Sequence, residues 1–167
     1  MKKKTTPREI GTVKQKAKLV VRIEDENWRS DAAALRILRR AANQALKSEG
    51  AGARETTILL TDDATLKGLN SDFRGRRKVT NVLSFPSEEP GYLGDIAIAY
   101  GVVAREARAQ KKTFAAHAAL LAVHGVLHLF GFDHEADGDA AVMEARERQI
   151  LGPLGIADPY RSTGKAA

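Results

Sequence analysis

Three histidines fall within eleven residues, in His124-Gly-Val-Leu-His128-Leu-Phe-Gly131-Phe-Asp-His134, and the 167-residue chain has only one other, His117. On a helix, residues four apart share a face and lie about 6 Å apart along the axis. His124 and His128 can therefore grip one metal ion. Gly131 can adopt positive φ, end the helix and turn the chain back. His134 then returns to the same ion. Three imidazoles with a fourth position open make the arrangement of a catalytic rather than a structural zinc. The chain contains no cysteine, so thiolate ligands and disulfides are excluded. Zinc is favoured by the nitrogen donors, with nickel, cobalt and iron as other acceptors.

The spacing equals that of the long zinc-protease motif, His-Glu-x-x-His-x-x-Gly-x-x-His, with one change. Gly125 stands where those proteases carry their glutamate base. Glycine cannot take a proton from water, so the metal is kept and the peptidase base is lost. Three histidines serving only as core residues would need hydrogen-bond partners that this apolar segment scarcely offers.

Other residues are candidates for supporting roles. His117 sits seven positions before His124, about 10 Å up the axis and too far to share the ion. It is a candidate for orienting a ligand, touching substrate or filling the core. Asp95 and Asp133 are candidates to hold a ligating imidazole from behind, or to stabilise turns. Arg74, Arg76, Arg77 and Lys78 surround Gly75. A guanidinium presents forked donors that match phosphate oxygens. Alone such a run is a solvated loop; beside a metal site it points to a phosphodiester substrate.

The elements that must position these residues follow from periodicity. Lys18 to Ile23, Glu55 to Leu60, Val79 to Phe85 and Gly94 to Ala99 read as strands. Ser30 or Asp31 caps a helix reaching Lys47, with Ala34, Leu35, Leu38 and Ala42 as its apolar stripe. Further helices are expected over 61–71, 101–109, 113–130 and 139–151. Four strands interleaved with five helices predict an α+β fold around one small sheet. The order of its strands is not readable. A single domain over 18–157 is expected, with a mobile basic segment at 1–17 and a mobile tail at 158–167.

Lys plus Arg total 27 against 21 for Asp plus Glu, and the +6 balance favours an anionic partner. No apolar core follows the basic start, so no signal peptide is expected. The apolar run 114–130 contains His117, His124 and His128, which suits a buried helix better than a membrane span. A reducing, cytoplasmic location fits the lack of cysteine.

Taken together, His124-Gly-x-Leu-His128-Leu-x-Gly-x-Asp-His134, Phe73-Arg74-Gly75, Thr80-Asn-Val-Leu-Ser-Phe85, Gly94-Asp95-Ile96, Met143-Glu144 and Ile150-Leu151 closely resemble the YbeY family of bacterial endoribonucleases. The resemblance spans residues 18 to 155. It implies a small mixed sheet packed with helices, distantly similar to zinc proteases. It also implies a metal-dependent, single-strand-specific endoribonuclease acting at the 3′ end of small-subunit ribosomal RNA and in ribosome quality control. On this resemblance His124, His128 and His134 are the zinc ligands and Arg74 the functional arginine; Arg76, Arg77 and Lys78 are expected to touch the RNA. Phe73, Arg77 and Val79 depart from the commoner tyrosine, aspartate and proline, which bears on loop conformation and substrate preference rather than on the metal.

Two rival readings share some of these residues. A metalloprotease shares the histidine spacing but lacks the base at Gly125. An RNA- or ribosome-binding module would use its zinc only to brace the fold. Ribosomal proteins are candidate partners in setting specificity. Whether water or the RNA 2′-hydroxyl attacks the phosphate is not written in the sequence.

Overall fold

Alternation along the strands decides which helix each face of the sheet meets. In the computed structural model, which describes residues 16–74 and 81–161 with the side chains of 73 and 74 excepted, four strands form one sheet. They are β1 (Lys18–Ile23), β2 (Glu55–Thr61), β3 (Val82–Pro86) and β4 (Tyr92–Ala99), in the order β1-β2-β4-β3. β1, β2 and β4 run parallel, and β3 is antiparallel to β4. Five helices complete the α+β fold: α1 (Ala32–Ser48), α2 (Asp63–Arg74), α3 (Tyr100–Ala109), α4 (Phe114–Leu129) and α5 (Asp137–Leu151). The expected mixed four-stranded sheet with five helices is therefore what the chain forms. Residues 1–15 and 162–167, which include most of the segments expected to be mobile, lie outside the described residues.

Ile58 and Leu60 of β2, with Ile96 and Ile98 of β4, take alternate positions on one face and join the main core with α1 and α4. On the other face Leu59, Leu83, Phe85 and Ala97 pack with Leu66 and Leu69 of α2. α4 is buried around nearly its whole circumference, against α1, α3, α5 and the β3–β4 edge. Its start is capped by Thr113, whose hydroxyl accepts from the Ala116 N–H at 3.1 Å. Asp31 caps α1 in the same way, accepting from the Ala34 N–H at 2.9 Å. Both α1 and α4 bury alanines (Ala41, Ala42 and Ala45; Ala118, Ala119 and Ala122), short side chains that let two helices run close.

The helix that ends at Arg74 is fixed at its other end. Asp63 accepts from the Val102 N–H at 3.0 Å and pairs with Arg105 at 2.7 Å. It thereby caps α3, which has no capping side chain of its own. A Cβ at Gly101 would sit 2.7 Å from the Asp63 carboxylate, so glycine keeps that approach open. Trp28, in the 3-10 turn Glu26–Ser30, donates its indole N–H to the Thr61 carbonyl at 3.1 Å. It stacks edge-on to Tyr100 and against Phe114, with centroids 5.5 and 5.4 Å away.

Candidate metal centre

The C-terminal end of α4 builds the site. Gly131 takes φ +90°, the left-handed conformation expected of it. Its N–H reaches the His128 carbonyl at 3.0 Å, and the Phe132 N–H reaches the Leu127 carbonyl at 3.1 Å. These two bonds close a Schellman turn. The turn does two further things. It delivers the Phe132 carbonyl to His128, whose Nδ1 donates to it at 2.8 Å. It also sends the chain on to His134, through a bend where the Asp133 carboxylate accepts from the Glu135 N–H at 2.9 Å. One ligand-capable atom from each of His124, His128 and His134 lies within 4.8 Å of the others.

His124 has a stronger orienting partner. Its Nδ1 donates to Glu147 at 2.8 Å, and Glu147, on α5, is fully buried. The second Glu147 oxygen accepts from the Tyr160 hydroxyl. Burial first, and then the Glu147 carboxylate, push the Tyr160 hydroxyl well above its ordinary range, so it stays a donor. Among the described residues no lysine or arginine is ion-paired with Glu147.

These partners fix the tautomers. Carbonyl and carboxylate oxygens only accept, so each Nδ1 carries the proton and each Nε2 presents a lone pair. The two Nε2 atoms of His124 and His128 are 2.9 Å apart. Two neutral rings would set lone pair against lone pair at that distance; a cation shared between them removes the conflict. Glu147 is buried with no lysine or arginine ion-paired to it among the described residues, so a cation held on the imidazole it bonds would suit it as well. The donor set therefore fits a divalent ion held by nitrogen, with outer partners of the kind that orient zinc-bound imidazoles.

His117 does not join the three. Its Nε2 meets Glu106 at 2.7 Å, and the Asn81 amide donates to the same Glu106 oxygen at 3.3 Å. This group lines a cleft of about 230 Å³ that His124, Lys112 and Tyr160 also border. His117 thus belongs to the wall of this cleft beside His124 rather than to the three-histidine cluster.

The family model described as Endoribonuclease YbeY matches residues 20–155, which hold all three histidines and Glu147. The chain belongs to the YbeY family. It is 49% identical over 145 residues to the Endoribonuclease YbeY of Nitrobacter winogradskyi, covering 80% of this chain and 76% of that protein. The Azorhizobium caulinodans Endoribonuclease YbeY is 50% identical over 149 residues, covering 84% and 94%. The fold is shared with the solution structure of TM1509 from Thermotoga maritima, with a TM-score of 0.57 at 24% identity over 89% of this chain and 99% of that one.

In this YbeY chain Gly125 serves packing. A Cβ there would lie 2.7 Å from Ile96 Cγ2 and 3.3 Å from Val82 Cγ2. The Gly125 carbonyl accepts from the Ser84 hydroxyl at 2.9 Å. The position that carries a peptidase's glutamate is pressed onto the sheet, with no room for a side chain.

Asp95 is turned away from the centre. It pairs with Phe85 across β3–β4 on the face opposite Ile96, and its carboxylate accepts from the Tyr92 hydroxyl. It does not orient an imidazole. Asp133 supports the turn before His134 rather than a ring nitrogen. Arg74 is the last residue of α2, its side chain outside the described set; Arg76, Arg77 and Lys78 also lie outside the described residues.

Glu147 and Tyr160 were not singled out from the sequence. A signal existed for the first: Glu147 falls four residues after Met143 and three before Ile150, in the buried stripe of α5. A glutamate in an apolar stripe needs a partner. Tyr160 and Asp158, placed by the sequence reading in the tail, are tied to α5 through Glu147 and through the Arg148–Asp158 pair at 3.0 Å.

Proposed function

We propose that the chain is a zinc-dependent, single-strand-specific endoribonuclease of the cytoplasm, acting in maturation of the 3′ end of small-subunit ribosomal RNA and in ribosome quality control. The observation that carries this reading is the convergence of three imidazoles, one backed by a buried carboxylate, in a YbeY-family chain. Its relatives at nearly half identity are named endoribonucleases. The net charge of +6 suits an anionic substrate. Among the described residues no helix is long and apolar enough to cross a membrane.

His124, His128 and His134 would hold the ion. Zinc, when bound, supplies Lewis acidity toward a phosphate oxygen and brings the pKa of water near 7. Glu147 and the Phe132 carbonyl hold His124 and His128 in the tautomer whose Nε2 is the ligand. Gly125 offers no base, and its packing admits none. Arg74 would clamp the scissile phosphate and the charge that grows on it during attack. Arg76, Arg77 and Lys78 would contact the RNA backbone without reading sequence. Aromatic residues for base stacking are few, and Trp28 is buried, so a ribosomal protein or the ribosome would contribute site choice.

The test uses zinc-loaded protein, a single-stranded RNA carrying the small-subunit 3′ precursor sequence, and a folded His128→Ala control. Cutting that needs both zinc and His128 supports the reading. Equal cutting by the control, or none by the wild type, sinks it. The product ends separate the two routes: a 3′-hydroxyl indicates attack by water, a cyclic phosphate attack by the 2′-hydroxyl.

A further inference from the structure

Between α1, the α3–α4 turn and residues 154–161 runs a groove of about 820 Å³. Four of its lining side chains are cations, Arg40, Lys111, Lys112 and Arg161. Its one acid, Asp158, is already paired with Arg148 at 3.0 Å. The groove adjoins the smaller cleft beside His124, since Gln110, Lys112, Pro159 and Tyr160 line both. The groove and the cleft therefore meet at Lys112 and Tyr160, and the cleft reaches His124.

Two local features show that this surface is built around its side chains. Lys111 has φ +55° and is the only non-glycine residue with positive φ among the described residues. It closes α3 in a Schellman turn, with its N–H on the Arg108 carbonyl at 3.2 Å and the Lys112 N–H on Ala107 at 2.8 Å. Glycine would fill that position at lower backbone cost, so what the position gains from lysine is the charged side chain. Tyr160 is the second feature. The residue is 37% exposed, its hydroxyl is anchored on buried Glu147, and the Arg148 guanidinium lies over one face of its ring, 5.2 Å from the centroid. A partly exposed ring, held at its hydroxyl and backed by a guanidinium, can take a base at low entropy cost. Lys112, at the junction, has its pKa lowered by burial against the pull of Asp158, Glu106 and Glu147.

We propose that the RNA strand runs from the histidine centre across Tyr160 into this groove, with a base stacked on Tyr160 and the phosphates held by Arg40, Lys111, Lys112 and Arg161. This extends the ribonuclease reading and rests on it. It gives the flanking nucleotides a basic support in addition to the phosphate contacts proposed for Arg74, Arg76, Arg77 and Lys78. The contacts are to phosphate and to a base face, so they are indifferent to sequence and specific for unpaired strands.

Zinc-loaded full-length protein is titrated into a fluorescein-labelled, 2′-O-methyl single-stranded RNA at several salt concentrations, and cutting of the unmodified strand is followed in parallel. Removing three phosphate contacts with Arg40→Gln, Lys111→Gly and Arg161→Gln together should lower the salt slope by about 2 and weaken binding on the order of 50-fold at 0.15 M salt. Lys111→Gly alone should raise the melting temperature, by relieving the backbone, while lowering the slope by about 0.7. That opposite movement of stability and affinity is not expected of a merely structural lysine, and it keeps the test decisive if the triple variant folds poorly. Unchanged slopes in both variants, with wild-type cutting intact, overturn the groove and leave the nuclease standing. A wild type that neither binds nor cuts the strand overturns both.

Discussion

Glu147 holds His124 at 2.8 Å through one carboxylate oxygen and takes the Tyr160 hydroxyl on the other, so a residue on α5 sets the ring that α4 presents. Outer partners of this kind fix ring orientation and raise ligand basicity. Glu147→Gln should reduce zinc affinity about 10- to 100-fold, read by competition with a chromophoric chelator. Tyr160→Phe leaves the carboxylate in place and should cost less. Wild-type affinity in Glu147→Gln would show that the carboxylate serves packing alone.

Gly125 is where packing and chemistry diverge. A methyl group there would meet Ile96 Cγ2 at 2.7 Å in a core without slack. Gly125→Ala should lower stability by about 1–3 kcal/mol, the usual range for overpacking, seen as a lower urea midpoint at unchanged m-value. Gly125→Glu should unfold the protein rather than restore a peptidase. A stable Gly125→Glu variant that digests casein would refute this account of the glycine.

What the sequence made legible was local. His124, His128, Gly131 and His134 lie within one helix and the turn that ends it, so spacing and the needs of φ were enough to bring them together. Four strands and five helices followed from periodicity, but the β1-β2-β4-β3 order depends on contacts across the chain. Glu147 lies 23 residues from His124, and only the α4–α5 packing joins them. Asp95 follows from strand alternation rather than from its neighbourhood in the chain: Ile96 faces α4, so Asp95 faces away. Tyr160 sits in a polar Asp-Pro-Tyr-Arg run that looks like tail, and a single buried carboxylate anchors it.

Metal removal separates an enzyme from a braced binding module. Zinc bound only by the folded state, at a hundredfold excess over its Kd, should add about 2.7 kcal/mol of stability. A chelator should remove that increment and abolish cutting while leaving RNA affinity within a few-fold. His128→Ala should behave as the chelated protein does, since it removes one Nε2 of the 2.9 Å pair. Loss of RNA binding in step with melting would instead assign the metal a bracing role.

Arg74 supplies the remaining test. It ends α2, whose first residue, Asp63, is tied to α3 through the Val102 N–H and Arg105, so the backbone leading to it has a fixed origin. A guanidinium clamping a phosphate during attack should act mainly on the transition state. Arg74→Ala should then slow single-turnover cleavage by about 10²- to 10³-fold, with zinc content unchanged. Arg74→Lys keeps the charge but loses the fork, and should recover only part of the rate. Arg77→Gln, by contrast, should leave the rate at saturation near wild type and lower the salt slope of binding by about 0.7. If Arg74→Ala instead raised KM alone and left kcat intact, the residue would be a binding contact like its neighbours, and the stabilising charge during attack would have to come from elsewhere in the site.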